Sequence, residues 1–225
     1  ILASQVSTTN MLSALCESIG ADWSEIVPAL RLDKRIGKKA YLKPGLGLAG
    51  GNLERDLSVL DNLTAQHKIE NTQIKGWLKT SDIQKNWLHR KFSSLDLDKY
   101  QDPKVAVLGL AYKENTNSIR NSSAIHFLNQ IREYNVYVHD PVVKLLNMSW
   151  LKQVDNSNEA VKNADVLILA TPWPEYQNLK LKTLHSLMKR PIIIDPSSLL
   201  SNQNPSKYGF KWIRLGTTKH SESEP

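Results

Sequence analysis

Four runs in the second half of the chain, KVAVLGLAY (104–112), VYVHDP (136–141), DVLILATPW (165–173) and PIIIDPSS (191–198), are apolar nearly from end to end. A strand wetted on one face alternates apolar with polar residues, whereas one that is apolar throughout must be covered on both. The stretches SAIHFLNQIREY, NSNEAVKNA and LKTLHSLMK, which fall between these runs, have the composition of helices and supply that cover. The pattern predicts a doubly wound, parallel α/β domain over residues 103–217, with ligands at the carboxyl ends of its strands. After the first strand, VLGLAYKENTNSIR holds Gly109 and no further glycine. A dinucleotide pyrophosphate therefore cannot rest on this turn as it does on G-x-G-x-x-G, and Lys113, Thr116 and Arg120 stand in the place of the phosphate loop.

Residues 1–95 follow a different pattern. Ile1 to Ser18, ADWSEIVPALRL, RDLSVLDNLTAQHK and TQIKGWLKTSDIQKNWLHRKFSSL return apolar residues at three and four positions, predicting a helical domain with Trp77, Ile83, Trp87 and Leu88 on a core face. The periodicity lapses over 96–102, a linker, and residues 218–225 are expected to be a disordered tail. At 225 residues the chain is long enough for two such cores. Its first helix starts at Ile1 without a capping residue, so the chain is expected to be the downstream part of something longer. Cys16, the single cysteine, lies among Ala14, Leu15 and Ile19 and reads as a small buried residue.

Four of the ten glycines fall within residues 45–51, in KPGLGLAGGNLERDL. Glycine so clustered marks positive-φ turns or a main chain that closely approaches something. Just before it, RLDKRIGKKAYLK carries six basic side chains and one acidic one. Basic charge beside accessible backbone amides suits a phosphate.

The net charge of +7 suggests acidic partners. Nucleic acid is disfavoured, because outside residues 31–43 the basic residues are interspersed with acidic ones and no aromatic-studded sheet motif or recognition-helix frame is present. No window reaches the ~18 apolar residues of a membrane span, the N-terminus lacks the order of a signal peptide, and the six histidines show no ligand spacing; a cytoplasmic protein without membrane or metal partners is expected.

Four strings, in order, resemble one family. ALCESIGAD is similar to A-L-C-E-x-x-G-A-D, LDKRIG to L-D-x-R-I-G, GLAYKENTNSIRNSSA to G-x-A-F-K-x-x-T-x-D-x-R-x-S, and ADVLILATPWPEY to A-D-x-x-V-x-A-T-x-W-x-E-F, all patterns of the UDP-glucose/GDP-mannose dehydrogenase family. The resemblance implies a helical dimerisation domain followed by a Rossmann-like domain that helps to bind a UDP- or GDP-sugar. It also implies that the NAD fold and the catalytic lysine and asparagine would lie before Ile1.

The family's glycine loop reads roughly P-G-x-x-(F/Y)-G-G-S-C-(F/L)-P-K-D. Its cysteine attacks the aldehyde intermediate, and the thiohemiacetal gives up a second hydride before water releases the acid. PGLGLAGGNLERD places Pro44 on the proline, Gly50 on a glycine, Arg55 on the lysine and Asp56 on the aspartate, and Asn52 where the cysteine should be. A carboxamide has no lone pair comparable with a thiolate. In the last strand the family expects D-x-R, and IDPSS offers Asp195 and then Ser197. By the same resemblance, Arg35 matches an arginine that reaches the partner subunit's substrate site and Lys43 a lysine beside the diphosphate. Lys113 and Arg120 match a pair that touches substrate and cofactor.

The catalytic positions are thus Asn52, Arg55 and Asp56; the substrate positions Arg35, Lys43, Gly50, Lys113 and Ser197; the cofactor position Arg120. The reading is of a diverged or degenerate family member that keeps a homodimer scaffold and weak nucleotide-sugar binding. Its alternatives are a working NAD-dependent oxidoreductase that performs only the first oxidation, and a pure dimeric interaction module.

Overall fold

The computed structural model describes residues 1–145 and 148–218, so the tail expected over 218–225 lies outside the described residues beyond Thr218. The chain divides into two compact units, Ile1–Trp87 with the segment that begins at Leu215, and Leu88–Arg214. No helix among the described residues is long and apolar enough to cross a membrane.

The helical unit is built from α1 (Leu2–Ile19), α2 (Trp23–Leu32), α3 (Asn52–Gln66) and α4 (Thr72–Lys85). Helix α1 ends at Gly20, whose φ of 75° places it in the left-handed region glycine tolerates, with its N–H on the Cys16 carbonyl. The Asp22 side chain then caps α2 by accepting from Ser24 N at 2.8 Å. The core groups Ala3, Leu48 and Leu57 with Val6, Leu53, Ile74, Trp77 and Leu78.

One expectation about faces fails. Ile83, placed on the core face by its spacing, is 52% exposed, because α4 turns Ser81 and Gln84 inward instead. Helix α1 buries Ser7, Thr9, Asn10 and Ser13 along with Ala3 and Cys16, while Met11, Leu15 and Ile19 face outward. The helix expected to run on past Trp87 breaks at Asn86, and α5 (Trp87–Ser93) begins where one unit gives way to the other.

The segment from Leu215 is part of the helical unit. Gly216 N donates to Glu17 Oε1 at 2.9 Å, Trp23 N donates to the Gly216 carbonyl at 2.9 Å, and Asp22 pairs with Thr217 in an antiparallel bridge. Glu17 also accepts from Trp87 Nε1 at 3.0 Å. One carboxylate thus holds Trp87 and Gly216 within the helical unit.

The second unit is a six-stranded sheet in the order β3-β2-β1-β4-β5-β6. Its strands are β1 (Lys104–Leu108), β2 (Asn135–His139), β3 (Leu151–Gln153), β4 (Val166–Leu169), β5 (Ile192–Ile194) and β6 (Lys211–Ile213), every pairing parallel. This is the doubly wound order of dinucleotide-binding sheets, with the strand order reversing between β1 and β4. The four expected strands are present. The two unexpected ones, β3 and β6, are three-residue edge strands with polar positions, which leave no apolar run to find. Helices α6 (Ser123–Leu128), α7 (Ser157–Val161), α8 (Pro174–Gln177) and α9 (Leu181–Leu187) complete the layers. Residues 96–102, expected as a linker, contain a 3-10 turn over Leu97–Lys99 with Leu97 buried, and the Arg190 guanidinium stacks 3.4 Å from the centre of the Tyr100 ring.

Glu17→Ala strands the Gly216 amide and the Trp87 indole and is expected to lower stability by about 1–3 kcal/mol, with Glu17→Gln, which keeps an acceptor, costing less. Urea unfolding of the three proteins checks this; equal midpoints for Ala and wild type would remove Glu17 from the role.

Candidate functional site

The carboxyl ends of β1, β2 and β4 meet at Asp140, 2% exposed. Its Oδ2 accepts from Leu110 N at 2.6 Å, Ala111 N at 3.2 Å and Trp173 Nε1 at 3.1 Å. Its Oδ1 accepts from Val142 N at 2.9 Å and Val143 N at 2.8 Å. Gly109 N goes to the His139 carbonyl at 2.8 Å, while the carbonyls of Leu110 and Ala111 accept from Ser122 Oγ and Thr171 Oγ1, each at 2.7 Å. Every amide of 109–111 is therefore taken up inside the protein. Gly109 has φ 94°, and a Cβ there would lie 2.4 Å from Thr171 Cβ. Its glycine serves close packing of two turns rather than approach to a ligand.

An NAD pyrophosphate needs these amides, so the dinucleotide does not fit this turn, as the missing glycines foretold. Beside it, Tyr176 OH donates to the His139 carbonyl at 3.0 Å and lies 2.9 Å from His139 Nδ1. Burial, then the charges of Asp140 and Glu175, push the Tyr176 phenol far above its usual range. It is a neutral hydrogen-bonding group.

Lys113 and Arg120 are exposed on the loop after β1, which closes on itself through Tyr112 N to the Ser118 carbonyl at 3.0 Å, Ser118 N to Thr116 Oγ1 at 3.2 Å and Arg120 N to Ser118 Oγ at 3.3 Å. Thr116 therefore shapes the loop, and the two cations project into solvent. Ser197, after β5, turns inward and donates to Asp195 Oδ1 at 3.2 Å. Asp195 is buried, which pushes its carboxyl up, although Leu199 N, Leu200 N and Trp212 Nε1 also donate to it.

The other six expected positions belong to the helical unit. Arg35 forks onto Asp33, Nε to Oδ1 at 3.0 Å and Nη2 to Oδ2 at 2.6 Å, which lowers the Asp33 carboxyl and raises the guanidinium. Arg35 also lines a groove of about 320 Å³ whose walls include Gln5, Thr9, Leu12, Trp23 and Leu42. Lys43 is exposed beyond it, at the entrance to the glycine loop.

The loop is stitched down at intervals. Gly45 N donates to Asn10 Oδ1 at 2.9 Å and Leu48 N to Ser81 Oγ at 2.9 Å; at Gly47, φ 86°, a Cβ would lie 2.7 Å from the Ser81 carbonyl. Gly50 has φ 80°, and Gly51 begins α3 without a side-chain cap. Asn52 is the first residue of α3 and is exposed; Arg55 and Asp56, three and four positions on, share its face and pair with each other at 3.1 Å in solvent. Asn10 and Ser81 were not anticipated. The signal was the run STTNMLS, whose polar residues at 7, 9, 10 and 13 fall inward on a helix.

This arrangement can hold an anion through side chains and loop amides. It offers no thiolate: Cys16 is 5% exposed and burial pushes its thiol up. No cluster of metal-ligating side chains occurs among the described residues.

A helical unit bearing a basic, glycine-rich loop, followed by a sheet in the doubly wound order whose first turn is closed on Asp140, defines a two-unit α/β class of protein. Two family models match the chain: the central domain of the UDP-glucose/GDP-mannose dehydrogenase family over residues 1–82 and the UDP binding domain of the same family over 106–202. The chain belongs to the UDP-glucose/GDP-mannose dehydrogenase family. It is 31% identical over 223 residues to a UDP-glucose 6-dehydrogenase of Rickettsia prowazekii, covering 96% of this chain and 51% of the relative. To the UDP-glucose 6-dehydrogenase TuaD of Bacillus subtilis it is 27% identical over 230 residues, 100% of this chain and 50% of the relative. The chain thus spans about half the length of the curated relatives it matches. In fold it is similar to a UDP-D-ManNAc dehydrogenase from Pyrococcus horikoshii, with a TM-score of 0.79, 24% identity and coverage of 95% of this chain and 49% of that one. An NDP-N-acetyl-D-galactosaminuronic acid dehydrogenase from Methanosarcina mazei gives a TM-score of 0.81 at 21% identity, over 96% and 48%.

Asp140→Ala leaves four amides and an indole without their acceptor and is expected to cost more than about 3 kcal/mol, read as a lowered urea midpoint. An unchanged midpoint would mean that water or a neighbour fills the place of the carboxylate.

Proposed function

We propose that the chain is the nucleotide-sugar-gripping half of a diverged dehydrogenase of this family, one that retains ligand-binding cations and lacks covalent thiol chemistry. The observation that carries the reading is Asn52, exposed as the first residue of α3 at the end of the glycine loop, in the position the family's cysteine pattern assigns to the nucleophile. Arg35, Lys43 and the amides around Gly50 would meet the diphosphate and sugar on the helical unit, with Arg55 and Asp56 beside Asn52. On the sheet unit, Lys113 would meet substrate and Arg120 cofactor, with Ser197 in place of a gripping arginine. NAD, the family's cofactor, would supply the hydride acceptor, held by groups other than the closed β1 turn. The cytoplasmic setting belongs to the same proposal.

Oxidation of a primary alcohol to an acid takes two hydride transfers, and the second needs an adduct at the aldehyde carbon. With a carboxamide at position 52, that adduct could come only from hydration of the aldehyde. The unmodified chain is expected to reduce no NAD with UDP-glucose, and Asn52→Cys with Ser197→Arg, joined to the NAD-binding half of a relative, to gain activity over either single change, followed by absorbance of the reduced cofactor. NAD reduction that stops at the aldehyde would favour the single-oxidation alternative, and UDP-glucuronate from the unmodified chain would overturn the reading.

The proposal includes a homodimer through the helical unit. Met11, Leu15 and Ile19, 55%, 52% and 68% exposed, repeat every four residues along α1, an apolar face that a symmetric partner would cover. Sedimentation at micromolar concentration is expected to give a mass near twice 25.4 kDa; a monomer would remove the dimer from the proposal.

A further inference from the structure

Buried polar side chains on a helix need partners, and in α1 they reveal where the helix is working. Ser13 Oγ returns to the Asn10 carbonyl at 2.9 Å within the helix itself. Thr9 and Asn10 instead spend their hydrogen bonds on one short run of main chain: Thr9 Oγ1 donates to the Tyr41 carbonyl at 2.6 Å, and Asn10 Oδ1 accepts from Gly45 N at 2.9 Å. Trp23 Nε1 adds a bond to the Leu42 carbonyl at 2.8 Å, and Ser81 Oγ takes Leu48 N at 2.9 Å. Positions 41, 42, 45 and 48 are thereby anchored from three helices, and Lys43 and Pro44 hang between the anchors.

Gly45 is the weak point of this run. It has no side chain, and nothing lies within 4 Å of where a Cβ would be, so packing cannot locate it. Its amide is the available handle, and Asn10, 2% exposed, holds it. Glycine released from such a bond regains more backbone freedom than any other residue.

We infer that Asn10 is a positioning residue for the ligand site: its buried carboxamide oxygen fixes Gly45 and, through it, the presentation of Lys43 and the loop amides to a nucleoside diphosphate-sugar. The inference rests on the proposed function, in which that loop faces the ligand. Asn10 acts without touching the ligand, so its loss should raise the entropy cost of binding while leaving the ligand-facing groups in place.

The test uses the full chain with Asn10→Leu, which removes the acceptor at similar volume, Asn10→Asp, which keeps it, and Gly45→Pro, which removes the donor from the loop side without entering the core. Hydrogen exchange of the 41–51 segment and calorimetry with UDP-glucose are read together. Asn10→Leu is expected to speed exchange in that segment and weaken UDP-glucose about tenfold, Gly45→Pro, which breaks the same bond but fixes φ, to weaken UDP-glucose by shifting Lys43, and Asn10→Asp to keep both within about threefold of wild type. Unchanged exchange in Asn10→Leu, or faster exchange with unchanged affinity, would overturn the positioning role alone. A wild-type chain that takes up no UDP-glucose would overturn the nucleotide-sugar reading, and the positioning role with it.

Discussion

The sheet unit is organised around an anion that it supplies itself. Asp140 gathers amides from the turns after β1 and β2 and an indole from the turn after β4. Hydrogen bonds to an ionised acceptor are about twice as strong as neutral ones, and a buried charge is tolerable only when so surrounded. The amides that offer themselves to a phosphate in a dinucleotide sheet are taken here by a side chain, while the strand order is kept. Gly109 follows from this: once the turn closes on Asp140, it is pressed against Thr171, and only a residue without a Cβ fits.

The helical unit is built on the opposite plan. Its glycine-rich loop is held by neutral groups on α1, α2 and α4, and Lys43 stands in solvent rather than in the core. A loop of glycines binds through backbone, so its precision must come from whatever holds the backbone. That is the use of a partly polar interior in α1, and it leaves Met11, Leu15 and Ile19 outside.

The four central strands were legible because burial on both faces demands continuous apolar runs, and the closed turn because the glycines needed for a pyrophosphate are missing. The edge strands β3 and β6 were not, since three residues with one wet side carry no pattern of their own. Ile83 misled because spacing identifies a face without saying whether the chain itself covers it. The glycine cluster announced a main-chain site, and the resemblance aligned Asn52, Arg55 and Asp56, which the structure sets on one turn of α3. The spacing of STTNMLS marked an inward polar face for Asn10 without naming its partner, and Ser81 stayed hidden because a hydrogen bond between a helix side chain and a distant amide leaves no trace in sequence. Asp140 was visible as a residue, but its five donors come from segments joined only by the fold.

The return of Gly216 to Glu17 closes a loop of sequence 199 residues long. On a ribosome adding about 5–20 residues per second, roughly 10 to 40 s separate the emergence of the two partners. Throughout that interval the first helices are present while the Glu17 carboxylate and the Trp23 amide wait for a strap not yet made. The helical unit, synthesised before the sheet unit, is therefore finished after it, and damage near Gly216 is felt at Glu17.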